Sequence, residues 1–143
     1  MSVITLIGID PGFSGGIAVL KEGQVTAYKT PETETDIVDF FRQFDPLNTR
    51  ALIEKVHGMI GMGRAAMFSF GKIYGTTRTA LIALKIPFDE VSPQTWMKAL
   101  GCLTKGDKNI TKAKAQQLFP NIKCTHAISD SLLILEFLRR RSF

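Results

Sequence analysis

The first thirty residues alternate short apolar runs with turn-forming residues. Apolar runs bounded by glycine, proline and charged residues are typical of buried strands. They predict three consecutive strands, at Val3–Asp10, Gly15–Leu20 and Gln24–Thr30. The segment Lys21-Glu22-Gly23-Gln24, between the second and third runs, has the composition of a hairpin turn. The chain is therefore expected to begin with a β-meander.

Beyond this region, strands alternate with helix-periodic segments. Thr35 or Asp36 is expected to cap a first helix. The other predicted elements are strands at Arg50–Val56 and Ile86–Val91, a long helix at Arg64–Leu84, a short helix from Ser92 to Gly101 with Pro93 at its first position, a helix from Asn109 or Thr111 to Phe119, and a last helix at His126–Arg140. This order predicts one α/β domain over residues 1–143, with helices flanking a mixed five-stranded sheet of three meander strands and two parallel strands.

Charge is unevenly distributed along the chain. The 143 residues carry a net charge of +5, but the first 46 carry −4 and the remainder carries +9. A basic C-terminal two-thirds favours a polyanionic partner, of which nucleic acid is the commonest. The alternative is a basic protein with no such partner.

Other features of the composition exclude several classes of protein. Cys102 and Cys124 form no CxxC pair, which disfavours a structural zinc site and favours a cytosolic chain with reduced thiols. No apolar run reaches the roughly 20 residues of a membrane helix. The first residues lack the basic leader of a signal peptide. These observations predict a cytoplasmic protein without a membrane partner.

Three acidic residues interrupt otherwise apolar patterns. Asp10 ends the first predicted strand, Glu54 lies within the fourth, and Asp130 lies near the start of the last helix. The period of two along a strand places Glu54 on the same face as Leu52, a position that is normally apolar. On the helix, His126 lies four residues before Asp130 and therefore on the same side.

These carboxylates have the chemistry of a divalent-cation site. Mg²⁺ prefers oxygen ligands and is commonly held by few carboxylates together with water and substrate phosphate. Two such ions can stabilise the attacking and leaving oxygens of phosphodiester hydrolysis. For each acid the alternative is a turn residue, a surface residue or a salt-bridge partner. Three acids in apolar contexts on a basic chain together favour a metal site.

Ordered motifs along nearly the whole chain resemble those of the RuvC family of Holliday-junction resolvases, in particular its small phage-type members. The motifs are Gly8-Ile9-Asp10-Pro11-Gly12 with Ser14-Gly15-Gly16, then Ile53-Glu54, Gly61-Met62-Gly63, Met67-Phe68-Ser69-Phe70-Gly71-Lys72, Tyr74-Gly75, Ile86-Pro87, Pro93-Gln94-Thr95-Trp96 with Lys98, Gln117-Leu118-Phe119-Pro120, and Asp130 at the head of an apolar helix. The resemblance implies an RNase H-like fold and a homodimer on four-way DNA junctions. It also implies paired nicking that depends on Mg²⁺, with Mn²⁺ able to substitute and two ions per site.

The resemblance also implies roles for individual residues. Asp10, Glu54 and Asp130 match the catalytic acids of the family. The family has a fourth ligand, Asp or His, three residues before the last acid, where this chain has Ala127. His126 is therefore the candidate for the fourth catalytic and metal-binding residue, one position away. A helix-capping or surface histidine is the alternative.

Contacts with DNA are expected from basic and apolar residues around the acids. Candidates are Lys98, Lys105, Lys108, Arg64, Met59 and Met62. In the family, a lysine near Lys108 faces the scissile phosphate, and an apolar residue near the junction centre wedges against a base. A solvated basic loop and core-filling or dimer-forming methionines are the alternatives. Phe68, Phe70, Tyr74 and Trp96 are expected in the core or at the dimer interface.

The expected activity is therefore that of a structure-selective endodeoxyribonuclease that acts on four-way and other branched DNA in DNA recombination or repair, without a small-molecule cofactor. The expected location is the cytoplasm of a bacterium or of a bacteriophage-infected host cell. An RNase H-type nuclease that cuts RNA–DNA hybrids and a non-catalytic junction-binding module are the alternatives. A nucleotide-binding protein of the actin and sugar-kinase type is disfavoured, because such proteins need two domains that open with this strand and turn.

Overall fold

Five strands form one mixed sheet in the computed structural model, which describes residues 4–56 and 61–142. The strands are β1 (Thr5–Asp10), β2 (Gly16–Lys21), β3 (Gln24–Lys29), β4 (Thr49–Glu54) and β5 (Phe88–Val91). Their order across the sheet is β3-β2-β1-β4-β5. The pairs β1–β2 and β2–β3 are antiparallel, whereas β1–β4 and β4–β5 are parallel. The predicted meander with two added parallel strands is confirmed.

Within the described part of the chain, five helices cover the two faces of this sheet. They are α1 (Glu34–Arg42), α2 (Arg64–Ala83), α3 (Pro93–Ala99), α4 (Lys108–Leu118) and α5 (His126–Ser142). Buried side chains of α1 and α2 form one apolar layer with one face of the sheet. Buried side chains of α3, α4 and α5 form a second layer with the opposite face. Within the described residues, no helix is long and apolar enough to cross a lipid bilayer.

The alternation along β1 decides which residues face which layer. Ile7 and Ile9 belong to the layer beneath α1 and α2, whereas Leu6 belongs to the layer beneath α5. Because side chains alternate along a strand, Gly8 and Asp10 share the α5 side with Leu6. A methyl group on Gly8 would lie 2.6 Å from the carbonyl oxygen of Ser131 and would overlap the backbone of Leu135. Glycine at this position therefore allows α5 to lie directly on β1.

Helix α5 is enclosed between the sheet and the other helices of its layer. Leu132, Leu133, Ile134 and Leu135 are four consecutive residues and all are buried, so the helix is apolar around its whole circumference. Such a pattern is that of a central helix rather than a surface helix. Burial of each such side chain contributes about 1.5–3 kcal/mol. The middle of α5 is therefore firmly anchored.

The predicted hairpin between β2 and β3 is confirmed in detail. Lys21 pairs with Gln24, and the two residues between them have positive φ angles, 52° at Glu22 and 79° at Gly23. Positive φ at both central positions matches the handedness of a two-residue hairpin, and glycine adopts it without a steric penalty.

Two predicted helix starts are wrong by a few residues. Helix α1 is capped by Thr33 rather than by Thr35 or Asp36, and the Thr33 hydroxyl accepts a hydrogen bond from the Asp36 amide at 3.1 Å. Helix α4 is capped by Asp107 rather than by Asn109 or Thr111. In both cases an earlier side-chain oxygen satisfies a free amide of the first turn, which is what selects a cap.

The strand boundaries also differ slightly from those predicted. Strand β4 ends at Glu54 rather than at Val56, although the Lys55 amide still donates to the Val91 carbonyl at 2.7 Å. Strand β5 begins at Phe88 rather than at Ile86. Pro87 lies between these two positions and has no N–H to donate, which accounts for the later start.

Candidate active site

Two of the three interrupting acids come from neighbouring strand ends. Strands β1 and β4 are parallel, and Ile9 is in register with Ile53. Asp10 and Glu54 each follow by one residue, so they lie side by side at the carboxyl edge of the sheet, on strands spaced about 4.8 Å apart. Both side chains lie on the α5 face, because Asp10 alternates with Ile9 and Glu54 with Ile53. The sheet alone therefore brings two carboxylates together.

Helix α5 brings the third acid to the same place. A methyl group on Gly16 would lie 2.6 Å from the Ala127 carbonyl oxygen, so the first turn of α5 lies close against β2. Asp130 follows one turn later. All three acids line one cavity of about 420 Å³. The other residues that line it are Pro11, Ser14, Gly15, Lys55, Val56, Met62, Phe70, Pro93 and Lys108.

The glycine turn after Asp10 is shaped by close contacts. Gly12 has a φ of 120°, and a methyl group there would lie 2.9 Å from the ring of Phe70. A methyl group on Gly15 would overlap the Asp10 carbonyl oxygen. Larger residues at these positions would push the turn away from Asp10. The turn therefore keeps backbone, rather than side chains, next to this carboxylate.

The electrostatic environment opposes ionisation of all three acids. Burial raises the pKa of Asp10 well above its ordinary value, and the neighbouring charges of Glu54 and Asp130 raise it further. Burial likewise raises the pKa of Glu54, to about 7, and raises the pKa of Asp130. Lys108 acts in the opposite direction on the pKa of each acid. Three crowded carboxylates whose burial and mutual repulsion disfavour ionisation form an environment that favours an additional cation.

Two hydrogen bonds hold the acids in place. The indole Nε1–H of Trp96 donates to Glu54 Oε2 at 2.7 Å. The side chain of Thr111 makes a hydrogen bond with Asp130 that lowers the pKa of that carboxyl. Both donors come from the layer of α3 and α4, outside the motifs that carry the acids. Each donor favours the ionised form of its partner and partly opposes the effect of burial.

The donor set fits a hard divalent cation that is shared with a substrate. Within residues 4–56 and 61–142, no group of three or more His, Cys, Asp or Glu side chains is arranged to hold a metal ion by itself. Mg²⁺ usually takes only one or two carboxylates and completes its coordination with water and phosphate oxygens. The half-buried acids, of which Asp10 has its pKa raised by the charges of the other two, suit this arrangement better than a closed protein cage.

Similarity to known proteins is found in structure and not in sequence. No protein-family model matches the chain, and no curated protein matches it in sequence. A structure of RuvC from Thermus thermophilus superposes with a TM-score of 0.65 at 15% identity, over 97% of both chains. RuvC of the same organism in complex with a Holliday junction substrate superposes with a TM-score of 0.66 at 16% identity, over 97% of this chain and 96% of that one. This chain has the RuvC fold. The predicted RNase H-like architecture is thereby confirmed.

On this RuvC fold, the predicted site residues separate into two groups. Asp10, Glu54, Asp130, Lys108 and Met62 all line the cavity. Exposed positions outside its lining are occupied by Lys98 on α3, Lys105 before α4, Arg64 at the start of α2, and His126. Met59 lies outside the described residues.

His126, the predicted fourth ligand, is exposed and does not line the cavity that holds the three acids. It is exposed at the first residue of α5, one turn before Asp130, and its charge lowers the pKa of Asp130. It therefore acts on the site electrostatically from the rim. A role as fourth ligand stays a prediction.

Trp96 and Thr111 are the site residues that the sequence pattern did not indicate. The sequence predicts Trp96 in the core or at the dimer interface, and Trp96 is buried. The available signal was chemical, since a buried indole N–H needs an acceptor and the chain offers few buried carboxylates. Phe70, for which the sequence predicts the same two locations, packs against the Gly12 turn and lines the cavity.

Proposed function

We propose that this protein is a structure-selective DNA endonuclease that resolves four-way and other branched junctions by paired, metal-dependent phosphodiester nicks. The observation that carries the proposal is the convergence of Asp10, Glu54 and Asp130 in one cavity at the carboxyl edge of a sheet with the RuvC fold. The Thermus protein of the same fold has been seen in complex with a Holliday junction substrate. The positive charge of this chain beyond residue 46 supports a DNA partner.

The residues that line the cavity have different roles in the proposed reaction. Asp10, Glu54 and Asp130 would hold Mg²⁺ or Mn²⁺, two ions per site, and the metal supplies an activated water and charge stabilisation at the leaving 3′ oxygen. Lys108 lies among the acids and can neutralise a phosphate oxygen of the strand that enters the cavity. The Gly12 turn keeps bulk away from Asp10, which leaves room for the DNA backbone to approach.

Paired nicking requires two active sites. The described chain carries one set of acids, so symmetric cuts on two strands require two copies of the chain on one junction. A homodimer with two-fold symmetry matches the approximate two-fold symmetry of a four-way junction. We place this activity in the cytoplasm, in recombination, repair or debranching of DNA of a bacterium or its bacteriophage, with no small-molecule cofactor.

A gel assay with defined substrates tests the proposal. The substrates are a synthetic four-way junction, a linear duplex of the same sequence and an RNA–DNA hybrid, each with and without Mg²⁺. Symmetric nicking of the junction alone, only with Mg²⁺, and with religatable 5′-phosphate ends is the expected result. Cleavage of the hybrid would instead indicate an RNase H activity, and junction binding without any cleavage would indicate a binding module.

Asp10→Asn is the variant that should lose cleavage without losing the shape of the cavity. It removes the charge of an acid in the cavity and nearly preserves its shape, so cleavage should be abolished while junction binding is retained. Asp89→Asn is the control, because Asp89 is an exposed acid on β5 outside this cavity. An Asp10→Asn protein that still cuts would refute the assignment of the site.

A further inference from the structure

Trp96 connects the apolar core to the cluster of acids. It is 1% exposed, and its ring belongs to the layer that also contains Leu52, Leu100 and Leu133. Its one polar atom, Nε1, donates to Glu54 Oε2 at 2.7 Å across 42 residues of sequence. The ring is therefore fixed by packing, and its N–H has a fixed direction.

This contact joins a neutral donor to a carboxylate rather than to a backbone carbonyl. Hydrogen bonds to an ionised acceptor are roughly twice as strong as those between neutral groups. Side chains that hydrogen-bond to metal-ligating groups commonly fix the orientation of the ligand. Because Oε2 already accepts the indole N–H, Oε1 has the greater free lone-pair capacity for a ligand in the cavity.

We propose that Trp96 is the positioning residue of Glu54, holding one carboxylate oxygen so that the other is presented to the metal ion and the DNA phosphate. The inference rests on the proposed function for its catalytic consequence, but the contact itself can be tested without DNA. A purely structural Trp96 would fill the core and would be insensitive to the state of Glu54.

The chain contains a single tryptophan, which gives a direct spectroscopic test. A ¹H–¹⁵N spectrum has one indole N–H resonance, and its position reports the acceptor of Trp96. At pH 8, where Glu54 is ionised, we expect this resonance to move upfield in Glu54→Gln, because a neutral acceptor forms a weaker hydrogen bond, and to move less in Asp10→Asn. Mg²⁺ alone, without DNA, should shift the resonance of the wild type and not that of Glu54→Gln. An indole resonance unchanged by both Glu54→Gln and Mg²⁺ would overturn the inference.

Trp96→Phe tests the catalytic consequence. Phenylalanine keeps an aromatic ring in the core but has no N–H. We expect cleavage to fall by about 10–100-fold, with a comparable rise in the Mg²⁺ concentration for half-maximal cleavage, the usual cost of losing a partner of a metal ligand. Junction affinity measured in EDTA should stay at the wild-type value, since Trp96 is buried.

Phe41→Leu is the packing control. Phe41 is fully buried in the opposite layer, away from the acids. It should lower the thermal midpoint without changing the Mg²⁺ dependence. Wild-type Mg²⁺ dependence in folded Trp96→Phe would refute the positioning role. If the wild type cuts no DNA, the proposed function fails, and the indole spectra still decide whether Trp96 reports on Glu54.

Discussion

The pKa of Glu54 leads to a prediction about stability that does not depend on catalysis. Its folded pKa is about 7, against 4.5 in the absence of the fold, chiefly because of burial. Between these two pH values, the folded chain holds a proton that the unfolded chain has released. The free energy of unfolding of the metal-free protein should therefore decrease as pH rises through this range, and the loss should be complete above pH 7.

The magnitude follows from the difference between the two pKa values. A difference between 4.5 and about 7 means that the free energy of unfolding is about 3 kcal/mol lower at high pH than at low pH. Glu54→Gln removes the titrating proton, while its amide oxygen can still accept from Trp96. At pH 8 without metal, the variant should be more stable than the wild type by up to about 3 kcal/mol, or on the order of 10 °C in Tm for a chain of this size. Below pH 4.5 the difference should vanish.

The assay is thermal and urea unfolding at several pH values from 4 to 8 in EDTA. Asp89→Asn serves as the control, because its carboxylate is exposed on the same sheet. Added Mg²⁺ should restore stability to the wild type at pH 8 and have little effect on Glu54→Gln, since ligands stabilise only the state that binds them. A Glu54→Gln protein no more stable than the wild type at pH 8 would refute the reasoning.

Three further variants test other parts of the fold and site. Gly8→Ala should destabilise the protein by roughly 3 kcal/mol or more in urea unfolding, because the added methyl group would overlap the Leu135 backbone. Unchanged stability would contradict the close packing of α5 on β1. Lys108→Ala should move the pH optimum for cleavage upward, because Lys108 lowers the pKa of each acid. It should also reduce the salt dependence of junction binding by about one phosphate contact. An unchanged pH optimum and salt dependence would show that Lys108 does not act in the site. His126→Ala should reduce cleavage far less than Asp130→Asn in the same gel assay, since the histidine is exposed at the rim; equal losses would instead support His126 as a ligand.

Local patterns were sufficient to predict most of the architecture. Strand alternation and turn composition gave the meander, and the hairpin at Glu22 and Gly23 has the predicted geometry. The acids were detectable because a charged residue in an apolar run is energetically costly without a partner. The placement of Asp10 and Glu54 on neighbouring strands follows from the same alternation once the strands are parallel.

The choice among several possible helix caps was not predictable from the sequence, nor were contacts between residues far apart in it. Thr33, Thr35 and Asp36 are all acceptable helix caps, and only the folded backbone selects Thr33. The hydrogen bond from Trp96 to Glu54 spans 42 residues and depends on how α3 packs against the sheet. The exposure of His126 depends likewise on where α5 begins relative to the cavity.

The close packing of α5 against Gly8 has a consequence for partly folded forms of the protein. Asp10 and Asp130 are separated by 120 residues, so the site exists only when the loop between the first strand and the last described helix has closed. Such long-range closure is entropically costly and is lost as a unit when the core opens. A molecule whose last helix has detached from the sheet would lack Asp130 beside Asp10 and Glu54, and so would have no complete set of acids. Under the proposed function, misfolded or partly digested copies should therefore be unable to cut DNA.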